Sequence, residues 1–295
     1  MRVVLDWFDA NLVTMVDGIA FGLLLFTLAV GLSLVFGMMD VLNLAHGSLY
    51  LGGAYAAYVF SGGTWLGLLV AIAVGLLVGA VGGVVLAAMT QPLATRGHLD
   101  QALLTLGISF IVADLLSTAF GAEIVPIAVP EALQGSVSFL SSAYPVYRLV
   151  FILVAGLLAL GVYFGFERSS IGALIRATVA DRDMVRAIGV DTRKVLYGVF
   201  AAGAAVAALG GVLGAPILAP GPGIDEHVLI ISLVVVVVGG LGSVRGALVG
   251  AFLIGQVQTL GVSLFPEYAA FLLFGAMLAV LVWRPAGLVS AVRAS

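Results

Sequence analysis

Apolar residues come in nine runs along this chain, and nearly all of its charge lies between them. A bilayer core about 30 Å thick is crossed by roughly 20 apolar residues of helix, each rising about 1.5 Å. A chain of 295 residues therefore accommodates eight or nine crossings on short connectors and leaves no room for a large soluble domain. Composition agrees, with 62% of residues hydrophobic and only 9% charged, against about 25% charged in soluble domains. The expected fold is an all-α integral membrane protein, a single polytopic bundle of eight or nine transmembrane helices over residues 1–295.

The runs cover about residues 12–37, a continuation to Phe60, Trp65–Met89, Gln101–Phe120, Tyr147–Phe166, Val195–Ile217, Val228–Val238, Ala247–Leu264 and Tyr268–Trp283. Lys and Arg mark inner loops. Arg96, the stretch 167–194, Arg245, Arg284 and Arg293 are thus expected inside, with the N-terminus outside. Residues 121–145 contain Glu123 and Glu131 but no Lys or Arg, which suits an extracytoplasmic loop. The N-terminus lacks a basic segment and does not read as a cleavable signal peptide. Cysteine is absent, which excludes disulfides and thiolate metal sites. Gly75, Gly79 and Gly83 lie four apart, the spacing that lets a second helix backbone come close.

Two places interrupt the apolar runs with glycine and polar residues. One is FGMMDVLNLAHGSLYLGG, containing Asn43, His46, Gly47 and Ser48; the other is GGLGSVRGALVGAF, containing Gly240 and Gly242. Irregular backbone at membrane depth survives only when buried in protein or lining a wet cavity, so paired interruptions point to broken or re-entrant segments along a substrate pathway. The alternative is two tight turns, with Asn43 and Ser48 capping helix ends. Only 11 residues precede GGLG, too few for a full crossing, so that run reads as half of a broken helix. Asp114 is the one acid well inside an expected span, where it should face protein or water. His46 could relay protons only with ionisable partners along the path, and the runs supply few.

The segment from Glu167 to Lys194 carries six of the twelve basic residues and four acids. It must lie in water, as a cytoplasmic loop that either sets orientation alone or docks a cytoplasmic protein. Ile175, Val179, Met184, Ile188 and Ala187 can share one helical face, with Arg176, Asp181, Asp183 and Arg186 on the others. No P-loop, His-Glu-x-x-His pair or Gly-x-Ser-x-Gly elbow occurs, so neither an ATPase nor a membrane enzyme is expected.

The stretches GLSLVFGMMDVLNLAHGSLYLGGAYAAY, RAIGVDTRKV followed by GVFAAGAAVAALGGVL, and VVVVGGLGSVRGALVGAFLIG resemble the inner-membrane permeases of branched-chain amino acid ABC importers. The similarity is closer to the shorter, LivH type. It implies a multi-pass subunit of the bacterial inner membrane that moves a small polar solute by alternating access. Branched-chain amino acids are the leading substrate, with urea, short amides and aromatic acids among those of similar importers. The implied partners are two cytoplasmic ABC ATPase subunits, a second permease of LivH or LivM type, an extracytoplasmic solute-binding protein and membrane lipid, with no nucleic acid. No cofactor is implied for this chain, since ATP and magnesium would serve the ATPases. By analogy Ala177 to Asp191, with Arg182, Arg186, Ala187, Ile188 and Val190, would form a coupling helix, and Gly189 the turn after it. The competing expectation is a stand-alone secondary transporter or channel, which would need an ion or proton site such as Asp114.

Overall fold

A computed structural model describes residues 2–39, 43–93, 97–139 and 142–289. Arg96 and Arg293, counted above as inner charges, lie outside the described residues. The chain folds into helices α1 (Arg2–Met39), α2 (His46–Phe60), α3 (Trp65–Thr90), α4 (His98–Phe120), α5 (Val146–Tyr163), α6 (Ser170–Ala180), α7 (Arg182–Ala187), α8 (Thr192–Gly214), α9 (Ile224–Gly239), α10 (Val244–Leu264) and α11 (Ala269–Trp283). Between α4 and α5 sits an antiparallel hairpin, β1 (Ser136–Phe139) and β2 (Ser142–Pro145), with Ser136 opposite Pro145 and Val137 opposite Tyr144.

Seven helices are long and apolar enough to cross a membrane: those of α1, α3, α4, α5, α8, α10 and α11. Two shorter helices complete the expected bundle of eight or nine, one of them the run read as half of a broken helix. The second run and the run before GGLG form α2 and α9, of 15 and 16 residues. At about 1.5 Å per residue these fall short of a bilayer core about 30 Å thick. They are nevertheless among the more buried helices.

The core is centred on α1, where Leu24, Leu25, Phe26, Leu28, Ala29 and Leu32 are all buried, against α8, α9 and α10. Helix–helix contact in an apolar solvent gains little from burying apolar surface and relies on close packing, which small residues permit. The stripe Gly75, Gly79, Gly83 of α3 does this against α8. A side-chain carbon at Gly79 would lie 2.6 Å from the Ala204 carbonyl oxygen, and one at Gly75 2.5 Å from a Val212 methyl. Gly53 of α2 likewise meets the Ala208 carbonyl.

At the hairpin end, Asp17 of α1 accepts from Tyr144 Oη (2.7 Å) and from the Arg148 guanidinium. Ser61 Oγ donates to the Ala128 carbonyl at 2.9 Å, and Val125 N to Pro220 O at 3.0 Å. These bonds tie residues 121–145 to α1, α2 and the α8–α9 connector.

Candidate functional site

A cavity of about 220 Å³ is lined by Leu51 and Tyr55 of α2, Ala113, Asp114 and Ser117 of α4, the connector Gly221–Gly223, and Asp225. Its floor exists because α9 starts late. After Gly214 the chain runs through Pro220 and Pro222, and Gly223, at φ +79°, turns it into the helix, a conformation that a side chain would strain. Asp225 stands in the first turn, where the helix dipole favours a negative charge. It is only 2% exposed, and its carboxylate has no hydrogen bond or ion pair among the described residues. Asp114, by contrast, is exposed on α4. Tyr55 is fixed by stacking on Phe120, with ring centroids 4.6 Å apart.

Of the residues that the sequence analysis put in a pathway, only Asp114 lines this cavity. Asn43, His46, Gly47 and Ser48 are buried beside it as the joint that starts α2. Asn43 does not cap the helix. Its Oδ1 accepts from Ala45 N (3.1 Å) and its carbonyl from His46 N (3.2 Å), closing the turn before α2, whose cap position is Ala45. Ser48 is no cap either, since its hydroxyl is 2.8 Å from that of Ser109 on α4. His46 Nε2 donates to the Leu28 carbonyl of α1 at 3.1 Å, while Nδ1 has no partner. Leu44 N donates to Thr105 Oγ1 at 3.1 Å. Gly47 touches the Asp225 carbonyl directly, so the joint of α2 supports the start of α9.

Gly240 and Gly242 are elsewhere. With φ of +110° and +75° they form the turn from α9 to α10, and Ser243 Oγ caps α10 by accepting from Gly246 N at 3.0 Å. The Leu288 and Val289 amides donate to the Val238 and Gly239 carbonyls, each at 2.9 Å. This turn and Asp225 lie at opposite ends of α9, roughly 20 Å apart by helix rise. The two interruptions therefore do not meet in one site. Asp225 is not among the pathway residues expected from sequence; an acid two residues after Gly-Pro-Gly, heading a short apolar run, is the signal that a half-helix begins there.

The charged stretch is a two-part element rather than one helix over 177–191. Ala177 ends within α6, and Asp181, in extended conformation, breaks the chain and caps α7 by accepting from Met184 N at 2.8 Å. The expected shared face is split accordingly: Ile175 packs inward and Val185 is the buried residue of α7, while Val179, Ala187, Met184 and Ile188 are exposed. Arg186 reaches Thr192 Oγ1 at 3.0 Å and Asp183 at 3.4 Å. Arg176 donates to the Phe166 carbonyl. Gly189, at φ +87°, turns the chain after α7, with Val190 N bonded to Val185 O, and Asp191 Oδ1 then accepts from Arg193 N at 3.0 Å to cap α8.

Arg182 remains beside the exposed Met184. Upstream, Phe164–Arg168 is a π-helical turn, a local distortion often found at functional positions. Its Glu167 lies 3.7 Å from Arg245 of α10, whose guanidinium sits 5.5 Å over Tyr163. No group of three or more His, Cys, Asp or Glu suited to a metal ion occurs among the described residues.

The chain is similar in sequence to known proteins. The chain is 27% identical over 288 residues to the high-affinity branched-chain amino acid transport system permease protein BraD of Pseudomonas aeruginosa, covering 93% of this chain and 94% of BraD. It is 26% identical over 295 residues to LivH of Escherichia coli K12, with 93% and 94% covered. To LivM of the same organism it is 27% identical over 292 residues, 90% of this chain and 68% of LivM. No solved structure matches the chain significantly. Residues 14–281, from within α1 to within α11, match the family described as branched-chain amino acid transport system / permease component, and the chain belongs to that family of multi-pass membrane permeases.

Proposed function

We propose that this permease is one of two related transmembrane subunits of an ABC importer that carries branched-chain amino acids, as the names of BraD and LivH state for those proteins. The observation that carries this reading is the pair of unfinished surfaces at the two ends of the chain's buried helices. At one end is a cavity with two carboxylates and apolar walls of Leu51, Ala113 and Pro222. At the other are α7 and the residue that ends it, where Met184 and Ile188 are 61% and 68% exposed in a segment too charged to lie in lipid. A short rigid element of this kind fits a groove of a cytoplasmic ATPase, which would use ATP and magnesium and move α5 and α8 through it. The exposed Asp114 belongs against water or a second permease, because an acid facing lipid at a helix centre costs about 2.5–3.5 kcal/mol.

The test is purification of the tagged chain from its native membrane in mild detergent, followed by identification of what accompanies it. An ATPase and a second permease are expected, together with an extracytoplasmic binding protein when substrate is added. The ATPase should be lost when residues 177–191 are replaced by a Gly/Ser linker. Recovery of the chain alone, active in uptake without ATP, would overturn the importer reading.

A further inference from the structure

Asp225 is buried, and its carboxylate has no hydrogen bond or ion pair among the described residues. A carboxylate removed from water needs a counter-charge or several hydrogen-bond donors. The first turn of α9 offers only the partial charge of a helix N-terminus, with no side-chain cap. Among the nine residues lining the cavity there is no Lys, Arg or His, so the cavity presents negative charge alone, from Asp225 on one side and Asp114 on the other. Apart from the Ser117 hydroxyl the remaining side chains are apolar or aromatic, and about 220 Å³ suits a compact solute. Gly47, in contact with the Asp225 carbonyl, holds that first turn against α2.

We propose that Asp225 receives the protonated amine of the solute in this cavity, with Asp114 contributing the second negative charge and Leu51 and Pro222 meeting its apolar part. The assignment rests on the importer reading for the transport step and gives it a specificity rule. Solutes of similar size that lack a cationic amine, such as urea, short amides and sugars, leave Asp225 buried and unpaired. They are rejected for that reason rather than by shape.

The purified full chain in lipid nanodiscs tests this by thermal unfolding with leucine, isoamylamine, isocaproate or urea added. Leucine and isoamylamine should raise the unfolding temperature, and isocaproate and urea should not. In Asp225→Asn the apparent affinity for isoamylamine should fall by about tenfold or more, since a buried charge partner is lost. Isocaproate protecting as well as isoamylamine, or Asp225→Asn retaining the unaltered affinity, would overturn the assignment. If Asp225→Asn does not fold, the comparison of the four solutes on the unaltered chain decides alone. Amine-selective protection without ATP-driven leucine uptake by the assembled complex would overturn the importer reading and leave the role of Asp225 standing.

Discussion

The two ends of α9 make opposite use of glycine. At Gly240–Ser243 the backbone is closed upon itself: Ser243 caps α10, and the amides of Leu288 and Val289 occupy the last carbonyls of α9. At Gly221–Asp225 the connector leaves a first turn without a side-chain cap and a carboxylate without a hydrogen bond or ion pair among the described residues, open to a cavity. A helix end that satisfies its own polar groups is architecture, whereas one that leaves them unpaired inside a membrane protein awaits a ligand. Both ends are glycine turns, and in sequence it is the acids after Gly223 that set them apart.

Substitutions at the two ends should therefore fail in different ways. Gly47→Val is expected to have the largest effect. Its side chain would run into the Asp225 carbonyl, and overpacking of this kind costs about 1–3 kcal/mol and often more where the neighbour is backbone. Membrane abundance and the unfolding temperature should both drop sharply, and a normally abundant, stable variant would break the claim that the joint of α2 braces the cavity. Next comes Asp114→Leu, which should cut substrate uptake by about tenfold, or about 1.4 kcal/mol, while abundance stays unchanged. Unaltered uptake would remove Asp114 from the site.

At the closed end the effects shrink. Ser243→Ala deletes one cap and should cost about 1 kcal/mol, read as a lower unfolding temperature with solute affinity intact; a loss of affinity would mean that the turn also belongs to the site. Smallest in stability is Arg245→Gln, because its contact with Glu167 is partly solvated and such pairs contribute about 0–1 kcal/mol. Its predicted signature lies instead in the ratio of ATP hydrolysed to solute imported. That ratio should rise, since Arg245 links α10 to the π-helical turn leading into α6. An unchanged ratio would leave the link a packing contact.

Reading the chain residue by residue shows where legibility ends. The apolar runs locate the helices because a spanning segment has only its own backbone to bond with, and the α3 glycines announce close packing because their spacing puts them on one face. The charged stretch is recognisable as exposed, yet its break at Asp181 is not. Aspartate is tolerated inside helices, and its side chain becomes a cap only once α6 and α7 diverge. Asn43 and Ser48 look like caps because such residues usually bond locally. In the fold, Ser48 finds Ser109, 61 positions away, because α2 and α4 lie side by side.

By itself the sequence determined the solvent of this protein, the approximate limits of its membrane helices, the exposed charged element and the family. Each of these follows from local hydrophobicity, spacing or motif. Only the tertiary structure decided that Gly240 and Gly242 stand at the far end of α9 from the cavity, and that Asp225 opens into it without a hydrogen bond or ion pair among the described residues. Those outcomes depend on which distant backbone fills the space beside each polar group. Burial and pairing are properties of the packed bundle.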